Sequence, residues 1–298
     1  MRTFIARRKF LKQTSAATAL AGLAPAFLTT ALAANSHKKR PIKKAMMYNT
    51  IGFKGSVLEK FKAIREAGFE GVEPLSHMDQ GEVMKALEET GLKAASVCCN
   101  THWGKPLSDP DPAVREQGLA GFKVALRDAK RYGASSVLLV PGVVNDKVSY
   151  DDCWKRSIEE IRKAIPLAEE LGVKVAVENV WNNFITKPEQ AVSFLDEINS
   201  PYVGWHFDVG NVLRFGQPEQ WIPMLGKRIL KLHIKEFSQT KKFSVAFFEG
   251  DNNWPAIMKA LDDVGYSGWG ISEQPSEQTR DAESLKKFAG QMDRIFAS

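Results

Sequence analysis

Lys231-Leu232-His233-Ile234-Lys235-Glu236 decides how this chain is read. Side chains alternate across a β-strand, so His233 and Lys235 share one face while Leu232 and Ile234 take the other. A histidine and a lysine are poor core residues unless polar groups meet them. Three more apolar runs end in a carboxylate in the same manner: Val175-Ala176-Val177-Glu178, Trp205-His206-Phe207-Asp208 and Trp269-Gly270-Ile271-Ser272-Glu273. Glu178, Asp208, His233 and Glu273 follow one another at about one strand–helix unit each, the last gap holding an extra loop.

Working outward, the same alternation covers the rest of the chain. Strands are predicted at 44–51, 70–75, 93–99, 135–140, 173–180, 203–209, 229–237 and 269–273. Amphipathic helical stretches lie between and after them, at 57–67, 80–90, 112–132, 151–171, 187–198, 218–225, 254–264 and 282–296. The helix-to-strand joints repeat one device, Ala67-Gly68-Phe69, Thr90-Gly91-Leu92, Tyr132-Gly133-Ala134, Leu171-Gly172-Val173 and Val264-Gly265-Tyr266, with glycine as the helix stop. Apolar strands joined by helices make a parallel sheet. Eight such units in about 255 residues predict a (β/α)8 TIM barrel. It forms one domain over 43–298. An open doubly wound sheet is the alternative, but no Gly-x-Gly-x-x-Gly follows the first strand to mark a dinucleotide site.

In a (β/α)8 barrel the C-terminal strand ends form one mouth, so Glu178, Asp208, His233 and Glu273 are expected to converge there. Three carboxylates alone would repel and raise one another's pKa values, and a divalent cation removes that conflict. Three oxygen donors and one nitrogen donor suit Mn²⁺ first, with Mg²⁺, Co²⁺, Fe²⁺ and Zn²⁺ remaining open. Other strand ends supply candidate substrate contacts: Glu73, His102, Trp103, Trp181, Asn182 and His206, with Glu249 in the long loop after the seventh strand. Aromatic faces with His or Asn donors suit a sugar. Lys235 is read either as an oxyanion stabiliser or as the partner of a carboxylate.

The formal net charge of +6 comes from 41 Lys and Arg against 35 Asp and Glu. Five of the basic residues, Arg2, Arg7, Arg8, Lys9 and Lys12, fall in residues 1–33, which hold no acid. The remainder is nearly neutral, so charge points to no nucleic-acid partner. Cys98, Cys99 and Cys153 read as small buried residues rather than as a disulfide or metal set. Arg7-Arg8-Lys9-Phe10-Leu11, an uncharged apolar run over about 16–33 and the ending Ala31-Leu32-Ala33 resemble a twin-arginine export signal. That implies a signal peptide over 1–33, a linker over 34–42, the Tat export machinery as a partner and a periplasmic location. An uncleaved membrane anchor is the alternative; after cleavage no stable anchor is expected.

The motifs Val177-Glu178-Asn179-Val180-Trp181, Phe207-Asp208-Val209-Gly210-Asn211, Leu232-His233-Ile234-Lys235-Glu236 and Ser272-Glu273 resemble the xylose-isomerase-like barrels. Within them they are most similar to the sugar phosphate isomerase/epimerase group of ketose 3-epimerases and hydroxypyruvate isomerases. The resemblance implies metal ligation by Glu178, Asp208, His233 and Glu273, and proton exchange by Glu178 and Glu273. It implies a sugar isomerase or epimerase working through a metal-bound enediolate, with a small sugar or keto-sugar as partner and a homo-oligomer as one assembly. Asn211 stands where those epimerases often carry a second histidine, and the resemblance makes it the candidate substrate contact at that position. A 3-keto-glycoside lyase using the same enolisation and a non-catalytic sugar-binding barrel are the other readings. Apurinic-site endonucleases share the barrel but need a His-rich three-metal cluster, for which this chain has too few histidines.

Overall fold

The computed structural model describes residues 40–298. The signal-peptide reading over 1–33 and most of the expected linker lie outside the described residues. Helices and strands form where the sequence patterns place them. Ser56 opens the first helix with a capping box: its hydroxyl accepts from Glu59 N, and Glu59 returns to the Ser56 backbone. Gly133, at φ 74°, and Gly172, at φ 65°, end two long helices in the left-handed conformation that side chains disfavour.

The elements run β1 (Ile42–Met47), α1 (Val57–Glu66), β2 (Gly71–Glu73), α2 (Gln80–Thr90), β3 (Lys93–Ala94), β4 (Val97–Cys98), α3 (Pro112–Tyr132), β5 (Ser136–Leu139) and α4 (Tyr150–Leu171). They continue through β6 (Lys174–Glu178), α5 (Pro188–Ile198), β7 (Val203–Asp208), α6 (Val209–Val212), α7 (Pro218–Leu225), β8 (Ile229–Ile234), α8 (Trp254–Asp263), β9 (Gly268–Ser272) and α9 (Ala282–Ala297). All strand pairs are parallel, in the order β3-β2-β1-β9-β8-β7-β6-β5-β4.

The third strand, expected unbroken over 93–99, is divided. Its first half, β3, pairs with β2 (Val72 with Ala94), and its second half, β4, pairs with β5 (Cys98 with Leu138). Cys98 N still donates to Pro74 O at 2.9 Å while Cys99 N donates to Leu138 O at 3.0 Å. One stretch of chain therefore serves both sides of the seam, and the sheet curls into a nearly closed barrel with helices outside. Short α6, which the apolar pattern does not announce, follows β7 directly.

Two apolar layers result. Phe61, Phe122, Ile161, Phe194, Trp221 and Phe288 pack between strands and helices and are almost wholly buried. A separate cluster of Ala45, Met47, Ala95, Cys98, Leu138 and Ile271 is formed by side chains from β1, the third strand, β5 and β9. On β6, β7 and β8 the corresponding buried positions are Glu178, His206, Asp208 and His233. The barrel interior is thus apolar along one side and ionisable along the other, which is costly unless the polar groups meet one another. Among the described residues no helix is long and apolar enough to cross a membrane.

Candidate metal centre

Strand register brings the ionisable groups together. Asp208 stands beside His233 across β7 and β8, and Ile271 stands beside His233 across β8 and β9. Glu178 ends β6, one strand beyond, and Glu273 follows β9. One oxygen or nitrogen from each of Glu178, Asp208, His233 and Glu273 lies within 4.8 Å of the others. His233 Nδ1 is 2.8 Å from Glu178 Oε1, 3.3 Å from Glu273 Oε2 and 3.8 Å from Asp208 Oδ2.

Asp208 is held with one oxygen to spare. Its Oδ1 accepts from Asn211 N at 2.6 Å, capping α6, and Asn179 clamps its backbone, accepting from Asp208 N and donating to Asp208 O. Its Oδ2 is buried and accepts no hydrogen bond among the described residues, with Lys235 Nζ 3.7 Å away. A buried carboxylate oxygen without a donor, facing two other carboxylates and an imidazole, is a donor set that fits a divalent cation. Glu178, Asp208, His233 and Glu273 are the residues that would hold it.

Charge is finely balanced here. Burial raises the Glu178 and Asp208 carboxyls, Asp208 well above its ordinary range. Burial pushes Glu273 the same way, but Lys235 and His233 together outweigh it and hold that carboxyl well below its ordinary range. Burial acts to lower the His233 imidazolium, yet Glu273, Glu73 and Glu178 raise it well above the usual value. Lys235 donates to Glu273 Oε2 at 2.7 Å.

Above the cluster opens a cavity of about 210 Å³, lined by Glu178, Glu273, His233, Lys235 and Asn211, and by His102, Trp103, Trp181, Met47, Cys98, Leu138, Val180 and Phe243. Of the expected sugar contacts, His102, Trp103, Trp181, Asn211 and Lys235 line it. Trp103 is 54% exposed at its rim, whereas Trp181 is fixed by its indole N–H to Asn211 O at 3.0 Å and by Phe243 against its ring. Asn211 itself donates to Asn179 O.

Four expected contacts do not reach the cavity. Glu73 is fully buried and its Oε2 lies 3.0 Å from His233 Nε2, on the side of the ring away from Nδ1. His206 is fully buried against the same ring, with centroids 4.2 Å apart; burial, with His233 and Lys231 nearby, lowers its pKa well below the ordinary value. Asn182 braces a loop, donating to Gly142 O and accepting from Phe184 N. Glu249 is exposed and folds back on Ala246. Sequence reasoning passed over Met47, Cys98, Leu138, Val180 and Phe243. Met47 and Cys98 end β1 and β4, and Leu138 is the penultimate residue of β5; Phe243 sits in the long loop and had no periodic signal.

Comparison with known proteins agrees with this architecture. The L-ribulose-5-phosphate 3-epimerase UlaE of Escherichia coli O157:H7 is 25% identical over 238 residues, 75% of this chain and 84% of that protein. The crystal structure of D-psicose 3-epimerase in the presence of D-fructose superposes with a TM-score of 0.73 at 16% identity, covering 86% of this chain and 100% of that one. The IOLI protein, whose crystal structure holds a zinc atom, superposes with a TM-score of 0.73 at 17% identity, covering 86% and 98%. The sequence profile of the xylose isomerase-like TIM barrels matches residues 61–292, and the chain belongs to that family.

Proposed function

We propose that this protein is a divalent-metal-dependent sugar isomerase or epimerase, with Mn²⁺ as its cation. The observation that carries the reading is the convergence of Glu178, Asp208, His233 and Glu273, three of which line the cavity, with Asp208 Oδ2 buried and accepting no hydrogen bond among the described residues. When bound, the cation supplies Lewis-acid polarisation of a substrate carbonyl and its neighbouring hydroxyl. Glu178 and Glu273 reach the floor from two separate strands, β6 and β9. One takes the proton from the carbon beside the carbonyl and the other returns a proton to that carbon or the next. Lys235, beside Glu273, orients that carboxylate and balances the charge that develops on the substrate oxygen. Trp103, Trp181 and Phe243 offer apolar faces to the sugar ring.

The substrate we propose is an unphosphorylated ketose or keto-glycoside. Among the described residues Lys235 is the only Lys or Arg lining the cavity, and two carboxylates already engage it. Among the described lining residues a phosphate would find no other cationic partner; Arg214 lies over the Trp181 ring but does not line the cavity. The twin-arginine pattern supports a periplasmic site of action.

Incubation with unphosphorylated ketoses and keto-glycosides in D₂O, with Mn²⁺ and after chelation, tests the chemistry. Metal-dependent deuterium uptake at the carbon beside the carbonyl is expected, and Glu178→Gln and Glu273→Gln should each abolish it. A parent protein that exchanges no deuterium across that panel would be evidence for a binding barrel instead. Cell fractionation of the parent and of an Arg7→Lys/Arg8→Lys variant tests location: export of the parent alone is expected.

A further inference from the structure

His233 is bonded at both ring nitrogens, and the two sides differ. Nδ1 faces the proposed cation ligands Glu178 and Glu273 at 2.8 and 3.3 Å. Nε2 faces Glu73 Oε2 at 3.0 Å. Glu73 and His233 are both fully buried, and Glu73 has no place in the cavity lining. A neutral imidazole carries one N–H and one lone pair, whereas a carboxylate can only accept. Both nitrogens here meet a carboxylate, so the ring donates from both; a cation held by Glu178, Asp208 and Glu273 would take the place of the Nδ1 proton, and the proton that Glu73 keeps on Nε2 would then leave the lone pair on Nδ1. His206 packs edge-on against the same ring at an interplanar angle of 65° and restricts its rotation.

We infer that Glu73 is the positioning residue of this centre: it fixes the tautomer and the ring orientation of His233 so that Nδ1 is the atom presented to the cation. The inference rests on the metal-dependent reading of the site above. Carboxylate–histidine–metal arrangements of this kind commonly change metal affinity by about 10- to 100-fold when the carboxylate is lost. A second cation held by Glu73, His206 and His233 is the competing reading, since their donor atoms also lie within 4.8 Å of one another. Two features argue against it. The Glu73–His233 contact has ordinary hydrogen-bond length. A cation on each side of His233 would also require lone pairs on both nitrogens, and hence a ring stripped of both protons.

The test uses Glu73→Gln, which keeps an acceptor, and Glu73→Met, which fills the same space without one. Calorimetric titration with Mn²⁺ should give one ion per chain in all three proteins. Binding should weaken by about 10-fold in Glu73→Gln and about 100-fold in Glu73→Met. ¹⁵N spectra of the Zn²⁺-loaded proteins should show His233 protonated at Nε2 and metal-bound at Nδ1 in the parent and in Glu73→Gln. In Glu73→Met that single form should be lost. A structural role alone would leave the nitrogen signature intact. A folded Glu73→Met with the parent's affinity and nitrogen signature overturns the inference. So does a parent that binds two Mn²⁺ where Glu73→Met binds one, because Glu73 is then a ligand. Should Glu73→Met fail to fold, Glu73→Gln decides by affinity alone, and binding equal to the parent's overturns the inference. A parent that binds no Mn²⁺ or Zn²⁺ instead sinks the metal reading itself, a result separable from the others.

Discussion

Lys235 Nζ lies 2.7 Å from Glu273 Oε2 and 3.7 Å from Asp208 Oδ2, so this cavity-lining lysine is locked between two proposed cation ligands. Metal and lysine compete for the same negative charge, and this separates binding from turnover. Lys235→Met should bind Mn²⁺ several-fold more tightly, because a positive charge close to the site is gone. Its kcat in the exchange reaction should nonetheless fall by about 100-fold, since Glu273 is no longer oriented and the substrate oxygen loses its counter-charge. Mn²⁺ titration alongside steady-state rates checks both. An unchanged kcat would reduce Lys235 to a counter-ion of Glu273 and Asp208.

The cavity wall carries a pH signature of its own. His102 is buried, and its Nδ1 accepts from Val140 N at 3.2 Å. Burial lowers its pKa to about 4, against the small opposing pull of Glu273. The folded value lies below the unfolded one, so the unfolded chain binds the extra proton between pH 6.5 and about 4. Stability from this group is present above that window and is lost as pH falls through it. At pH 5 the loss attributable to His102 is about 2 kcal/mol. Glutamine at 102 does not titrate. Thermal melts at pH 7 and pH 5 should therefore show a smaller acid shift for His102→Gln than for the parent, and equal shifts would refute the assignment.

The barrel and the convergence of Glu178, Asp208, His233 and Glu273 were legible because both depend on local pattern. Glycine stops, amphipathic helices and carboxylates closing apolar runs are all written within one strand–helix unit. What could not be read was depth. Glu73 ends β2 just as Glu178 ends β6 and Asp208 ends β7, yet it meets the far side of His233 rather than the cavity. Depth depends on how strands stagger around the whole barrel, and no window of sequence encodes that. His206 shares this fate, one step below Asp208 on the same face. The division of the third strand is also a closure effect: two neighbours draw on one stretch of chain. Phe243 and Glu236 belong to the long loop, where contacts are set by side-chain hydrogen bonds and not by periodicity.

Two tryptophans at the mouth should behave differently. Trp103 is 54% exposed and touches His102 edge-on, so it can change only how the substrate is held. Trp181 is bound to Asn211 O and packed on Phe243 and Phe237, and Asn211 N in turn bonds Asp208. Trp103→Ala is expected to raise KM by about 10-fold with kcat unchanged, the loss of one stacked aromatic contact. Trp181→Ala should raise KM and also lower kcat, since it loosens the Asn211–Asp208 support. Equal effects on KM alone would show that the two walls act only as contact surface.

The loop between β8 and α8, which brings Phe243 to the cavity, hangs on one buried carboxylate. Glu236 accepts from Phe248 N at 2.9 Å, Asn252 N at 3.2 Å and Trp254 Nε1 at 2.9 Å, and these donors lie along the loop and at the first residue of α8. Gln274, two residues after β9, ties the same loop, donating to Val245 O at 2.6 Å. Gly250 passes so close that a Cβ would sit 2.5 Å from Glu236 Oε1 and inside contact distance of Phe237 O. An alanine there must displace the loop or the carboxylate, a strain of about 1–3 kcal/mol. Gly250→Ala should thus lower Tm by several degrees and raise KM as Phe243 retreats, while one Mn²⁺ still binds with the parent's affinity. Glu236→Gln replaces one accepting oxygen by a donor that faces N–H groups, and should cost a comparable amount. Thermal melts, Mn²⁺ titration and substrate kinetics on both variants distinguish a loop that shapes the sugar site from one that merely covers the barrel: in the latter case Tm falls and KM stays where it was.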